Sequence, residues 1–125
     1  MEKKKILIVE DDCILQKALQ EFLVEEGFEI FCALDGEEGV KMGKEKTPDL
    51  ILLDIILPRK DGFEVLKELK SYEKTKKIPV VLLTNLGSLN DIEKAIALGA
   101  TTYLIKADYK LEEVSRKIKE ILGIH

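Results

Sequence analysis

Apolar residues fall along this chain in two alternating rhythms: short unbroken runs, and longer stretches in which they return every three or four positions. The first run is Ile6-Leu7-Ile8-Val9, ended by Glu10-Asp11-Asp12. Leu15, Ala18, Leu19, Phe22 and Leu23 then take the spacing of an amphipathic helix, which Gly27 stops. Phe28 to Leu34 predicts a second strand, and Asp35-Gly36 a turn whose acid could cap the next helix. That helix, over about residues 36–46, is weakened by Gly39 and Gly43. Thr47-Pro48-Asp49 closes it and delivers the third run, Leu50-Ile51-Leu52-Leu53, which meets Asp54 and continues through Ile55-Ile56-Leu57 to Pro58.

After the loop Pro58-Arg59-Lys60-Asp61-Gly62, the positions Phe63, Leu66 and Leu69 set up a third helix. Ile78 to Leu83 is the fourth run, with Pro79 near its start, where a strand tolerates proline, and Thr84 at its end. Ser88 or Asn90 caps a helix bearing Ile92, Ala95 and Ile96 on one face, stopped by Gly99. Thr102 to Ile105 is the fifth strand, ended by Lys106, and Leu111, Val114, Ile118, Ile121 and Leu122 mark the last helix. Strands alternating with helices through short loops predict an α/β fold, a parallel sheet with helices on both faces. Right-handed crossovers leave only a few doubly wound strand orders. No repeat, linker or low-complexity stretch interrupts the pattern, so residues 1–125 read as one domain.

The strand ends carry the candidate chemistry. In a parallel sheet every carboxyl end lies on one edge, where ligands bind as strand order reverses. Asp54 follows a run that reads as buried on both faces, and a carboxylate there needs a partner. The first run ends in Asp11 and Asp12, the third in Asp54, the fourth in Thr84 and the fifth in Lys106. Clustered carboxylates favour a hard divalent cation, and Mg²⁺ takes a few carboxylate oxygens plus water. With Lys106 and Thr84 at the oxygens of an incoming phosphate, Asp54 is placed to act as the nucleophile that forms an aspartyl-phosphate. Plainer roles exist for each residue: Asp11 and Asp12 as a helix cap, Lys106 as a salt-bridge partner, Thr84 as a strand residue. Those roles do not explain why all of them fall at equivalent strand ends.

Composition removes other classes. Twenty basic and 24 acidic residues leave a net charge of −4, and the lysines are spread along the chain, which gives no case for nucleic-acid binding. The apolar runs are too short to span a membrane, and the amino terminus lacks the pattern of a signal peptide. Cys13 and Cys32 lack metal or redox spacing and suggest reduced thiols in a cytoplasmic protein. His125 is the lone histidine, so a buried catalytic histidine is out of reach.

Asp11-Asp12 after strand one, Asp54 with Pro58 behind it after strand three, Thr84 after strand four and Lys106 after strand five form one ordered set. Over essentially its whole length the chain resembles the receiver domain of two-component response regulators, in its stand-alone, CheY-like form. The resemblance implies a five-stranded sheet in the order 2-1-3-4-5, the flavodoxin-like arrangement. It implies that Asp54 accepts phosphate from a sensor histidine kinase or a phosphotransfer protein. It also implies Mg²⁺ (or Mn²⁺) held by Asp12, Asp54 and the backbone carbonyl of Ile56, with Asp11 helping through water. Lys106 would pair with the phosphoryl group, Thr84 would move to bond it, and Tyr103 would change rotamer in response. A downstream protein would dock on the face of helix 4, strand 5 and helix 5.

The chain departs from the family in places. Ala107 stands where proline usually follows the lysine, and Asn85 where a small residue follows the threonine. Ile56 and Leu86 are both aliphatic two positions beyond Asp54 and Thr84, and with Asn85 they are expected to hinder the hydrolytic water. Ala107 and Asn85 leave room for a binding module of the same fold that signals without phosphorylation. A haloacid-dehalogenase-type phosphatase would need a second acid at position 56, where Ile56 stands. A flavin or nucleotide binder would want a glycine-rich loop where this chain has Asp11-Asp12-Cys13.

Overall fold

The computed structural model describes residues 3–85, 89–106 and 110–124. In chain order the elements are β1 (Lys5–Val9), α1 (Cys13–Glu25), β2 (Glu29–Ala33), α2 (Gly36–Lys46), β3 (Leu50–Asp54), α3 (Gly62–Ser71), β4 (Val80–Thr84), α4 (Leu89–Ala97), β5 (Thr102–Ile105) and α5 (Leu111–Leu122). The strands form one parallel sheet in the order β2-β1-β3-β4-β5. Strand order reverses at β1, which lies between β2 and β3, so the carboxyl ends of β1 and β3 flank the crevice predicted for a ligand.

The period of two along each strand divides the core into two layers. Ile6, Ile8, Leu50, Leu52, Val81 and Leu83 face Leu19 and Leu23 of α1 and Val114 and Ile118 of α5. Leu7, Val9, Ile51, Leu53, Val80 and Leu82 face Val40 of α2, Val65, Leu66 and Leu69 of α3, and Ala95 of α4. Every residue of β3 and β4 is buried, as expected of central strands covered on both sides. Those runs therefore need no polar alternation, which is why they appear in the sequence as unbroken aliphatics.

Local differences from the sequence reading have local causes. Phe28 is buried, but its N–H donates to the Leu23 carbonyl at 3.1 Å, so it belongs to the end of α1 and β2 begins one residue later. Ile78 likewise closes a turn onto Thr75 at 3.0 Å, and β4 begins at Val80 and includes Thr84. Asn90 lies inside α4, which starts at Leu89, and Ser88 lies outside the described residues.

Helix α2 forms despite its glycines because it packs close against Val9 of β1 and Leu69 of α3. A Cβ on Gly39 would stand 2.8 Å from Val9 Cγ1, and one on Gly43 2.9 Å from Leu69 Cδ2. Asp35 caps the helix by accepting the Glu38 N–H at 2.8 Å, with Glu37 and Glu38 in the first turn and Lys44 and Lys46 in the last, complementing its dipole. Thr47 ends it in the left-handed region, at φ 40° and ψ 64°. A β-branched residue is strained there, at roughly 1–2 kcal/mol. Thr47 is exposed and gives the cap only its backbone, an N–H on the Gly43 carbonyl. We therefore expect Thr47→Gly to raise stability by about 1 kcal/mol in urea unfolding. A lower midpoint would show that the threonine side chain supports the turn.

Candidate functional site

The site begins where β1 runs out. Val9 is the last residue of the ladder, and Glu10 follows with its N–H on the Ala33 carbonyl at 3.1 Å. Its side chain is fully buried among the strand ends. Across the crevice β3 ends in Asp54, also buried, whose Oδ1 accepts the Ile56 N–H at 3.2 Å. On the far side the Lys106 N–H donates to the Thr84 carbonyl at 2.6 Å, extending the β4–β5 pairing by one step. That bond fixes the root of a side chain whose Nζ reaches 2.8 Å from Asp54 Oδ2 and 2.6 Å from Glu10 Oε1. One ammonium thus spans two buried carboxylates.

Gly62 lets the β3–α3 loop close beneath Asp54. Its N–H donates to the Ile55 carbonyl at 2.7 Å, and a Cβ there would lie 2.6 Å from the Asp54 carbonyl oxygen and from Ile55 Cα. Asp61 caps α3 by accepting the Glu64 N–H at 2.9 Å, so the return from loop to helix is defined at both ends.

The acid pair that joins Asp54 is Glu10 and Asp11. Carboxylate oxygens of Glu10, Asp11 and Asp54 lie within 4.8 Å of one another. Asp12, expected at the metal, instead caps α1: its Oδ1 accepts the N–H groups of Ile14 at 3.0 Å and Leu15 at 3.2 Å. The physical reason is position, since the residue immediately before a helix is where a short carboxylate meets unpaired N–H groups. Glu10 was not among the expected acids, yet the sequence carries a signal for it. Once Asp12 is assigned as the cap before the Leu15 periodicity, the acids left at the strand end are Glu10 and Asp11.

The other expected residues are placed as follows. Thr84 is buried at the end of β4, and its Oγ1 donates to the Asn85 carbonyl at 3.0 Å rather than to an acid. Tyr103 lies on β5 opposite Leu82 and is 40% exposed. Ile56 is 72% exposed beside Asp54, and Asn85 is exposed. Leu86 and Ala107 lie outside the described residues.

Charge is out of balance in this pocket. Burial pushes Glu10 up to about 7, with Asp54 adding to the rise and Lys106 and the Asp12 N–H pulling against it. Burial alone would lower Lys106, but its hydrogen bond to Asp54 and its pairing with Glu10 outweigh that and hold it above its ordinary value. One cation facing three carboxylates leaves negative charge uncompensated. All the acid donors are hard oxygens, partly exposed through Asp11. That donor set suits Mg²⁺, which keeps several waters and needs few carboxylates.

Comparison with known proteins agrees with this geometry. The family model for the response regulator receiver domain matches residues 6–119. The transcriptional regulatory protein CiaR of Streptococcus pneumoniae is 43% identical over 118 residues, covering 94% of this chain and 51% of that protein. The chain spans about half the length of the curated relatives it matches. A response regulator receiver domain protein (CheY-like) from Methanospirillum hungatei superposes with a TM-score of 0.91 at 29% identity, covering 98% of this chain and 95% of its own. The receiver domain of sensor histidine kinase PA1611 from Pseudomonas aeruginosa superposes at 0.89 with 28% identity, covering 98% and 99%. Its structure holds a magnesium ion coordinated in the active site cleft.

Removing the shared cation tests the electrostatic account. We expect Lys106→Met to lower the stability of the metal-free protein by about 3 kcal/mol at pH 8, because two buried carboxylates lose their partner. Glu10 ionises in the folded state near 7, against 4.5 unfolded, so its charge costs stability as pH climbs through that interval. The loss should therefore shrink towards pH 5 and partly recover with added Mg²⁺. Urea unfolding across pH checks this, and a pH-independent loss would show that Lys106 acts by packing alone.

Proposed function

This chain belongs to the response regulator receiver domain family, and on that premise we propose that it is a phosphoacceptor switch that takes a phosphoryl group on Asp54. The observation that carries the reading is the Lys106 ammonium 2.8 Å from Asp54 Oδ2, inside a pocket whose other walls are carboxylates. Receiver domains are phosphoacceptor signalling modules rather than enzymes acting on a separate substrate, and the acidic site here is of the kind that supports Mg²⁺-dependent aspartate phosphorylation.

In the proposed reaction a carboxylate oxygen of Asp54 attacks the phosphorus of a phosphohistidine. The P–N bond breaks, histidine leaves, and the carboxylate carries the phosphoryl group as a mixed anhydride. The Ile56 N–H on Oδ1 and Lys106 on Oδ2 hold the carboxylate plane for that approach. Lys106 is placed to stay with the added charge on the phosphoryl oxygens. Glu10, Asp11 and Asp54, with the Ile56 carbonyl, are the proposed ligands of Mg²⁺ or Mn²⁺. When bound, the ion offsets negative charge between the carboxylates and the phosphoryl group.

Switching follows from the two remaining residues. Thr84 spends its hydroxyl proton on the Asn85 carbonyl, so bonding a phosphoryl oxygen requires it to turn. Tyr103, half out on β5, is the proposed follower of that turn, and the face of α4, β5 and α5 the proposed docking surface for a downstream protein. The phosphate donor is a sensor histidine kinase or a phosphotransfer protein. We place the chain in the cytoplasm, with its free thiols Cys13 and Cys32, and read residues 1–125 as one receiver domain. Among the described residues no helix is long and apolar enough to cross a membrane.

Intact mass after incubation with acetyl phosphate tests the acceptor. We expect a phosphoryl adduct that requires Mg²⁺ and is lost in Asp54→Asn. A folded wild type without the adduct would favour a phosphorylation-independent binding module. Exposed Ile56, with Leu86 and Asn85, should slow hydrolysis by hindering the approach of water. Polar replacements of Ile56 and Leu86 are thus expected to shorten the lifetime of the adduct, and an unchanged decay rate would refute the steric account.

A further inference from the structure

One side chain behind the acidic pocket has two hydrogen bonds that neither the core nor the proposed reaction explains. Gln16 lies half-buried in the first turns of α1. Its Nε2 donates to the Glu10 carbonyl at 3.1 Å and to the Ala33 carbonyl at 2.9 Å. Both partners are carbonyl oxygens, so only the amide nitrogen of the side chain can face them. The Ala33 carbonyl also accepts the Glu10 N–H at 3.1 Å, one residue beyond the last β1–β2 ladder pair, Val9 and Ala33. On the other side of β1 the ladder stops at Val9 and Leu53.

Glu10 is therefore held beyond the sheet, its N–H by backbone and its carbonyl by Gln16. That carbonyl belongs to the peptide joining Glu10 to Asp11, and these residues carry two of the three clustered carboxylates. The torsions flanking that peptide, ψ of Glu10 and φ of Asp11, set the direction of the two side chains relative to each other, and a carbonyl held by Gln16 restrains both. Glu10 Oε2 in turn accepts the Asp12 N–H at 3.1 Å, so the aim of the Glu10 carboxylate can be read at a backbone amide.

We propose that Gln16 is a positioning residue for the acidic pocket: its carboxamide fixes the Glu10–Asp11 peptide plane and so aims both carboxylates at Asp54 for a divalent cation. Gln16 touches neither cation nor phosphate; it acts through Glu10. The proposal rests on the reading that the pocket takes a divalent cation.

The test is Mg²⁺ titration by calorimetry on wild type, Gln16→Met, Gln16→Lys and the control Lys17→Met, whose residue is exposed on the same helix. Amide hydrogen exchange at Asp12 is followed in the same proteins without metal. Methionine keeps the length of glutamine but has no proton to donate, whereas lysine keeps a donor. We expect Gln16→Met to weaken Mg²⁺ binding about tenfold, as loss of a group that orients a ligand does, and to speed exchange at Asp12. Gln16→Lys should keep Asp12 protected as in wild type, its added charge bearing only on Mg²⁺ affinity, and Lys17→Met should change neither. Should Gln16→Met not fold, Gln16→Leu replaces it, uncharged and without a donor proton. Wild-type affinity and protection in the donor-less variant would overturn the proposal, as would an equal loss of Asp12 protection in Gln16→Lys, which would assign the effect to packing. A wild type that binds no Mg²⁺ would instead remove the cation reading itself.

Discussion

The half-buried ammonium of Lys106 between Glu10 and Asp54 is the interaction on which the rest of this molecule depends. Each carboxylate lies at the end of a buried aliphatic run, where an unpaired charge is costly. The lysine makes their burial tolerable at distances of 2.6 and 2.8 Å, but a single charge cannot neutralise the three acids that converge there. The residual imbalance is the functional property. It suits the pocket to a small, hard cation.

The sheet makes that arrangement possible by its order more than by its individual strands. With β1 beside β3, Glu10 and Asp54 lie across one crevice although 44 positions separate them in the chain. With β5 beside β4, the backbone bond from Lys106 to Thr84 carries a lysine from the last strand towards the same crevice. Both core layers hold these strand ends in place. The α1 and α5 layer and the α2, α3 and α4 layer each pack every second strand residue, so the ends cannot shift singly.

Close approaches shape the rim. Helix α2 comes near enough to Val9 that Gly39 has no room for a side chain, and the β3–α3 loop passes so near Asp54 that Gly62 has none either. Gln16 supplies from α1 the hydrogen bond that the sheet can no longer offer Glu10. The acids are thus held by a helix, a loop and a sheet at once, while the Thr84 hydroxyl bonds its neighbour's carbonyl and the Tyr103 ring is 40% exposed.

The sequence by itself determined which segments are strands, which are helices, and that Asp54, Thr84 and Lys106 end on one edge. Those features depend on local period and on the common direction of parallel strands, both of which a chain carries openly. Glycines obscured α2, because their benefit lies in the distance to Val9 and Leu69, which no propensity records. At the end of β1 the acidic run Glu10-Asp11-Asp12 has three similar side chains in succession, and composition does not distinguish them. Only the tertiary structure decided their roles, by placing Asp12 on the unpaired N–H groups of α1 and turning Glu10 and Asp11 towards Asp54. The physical reason is that a helix cap is satisfied within a few residues, whereas a shared ion pair depends on strands that meet only after the chain has folded.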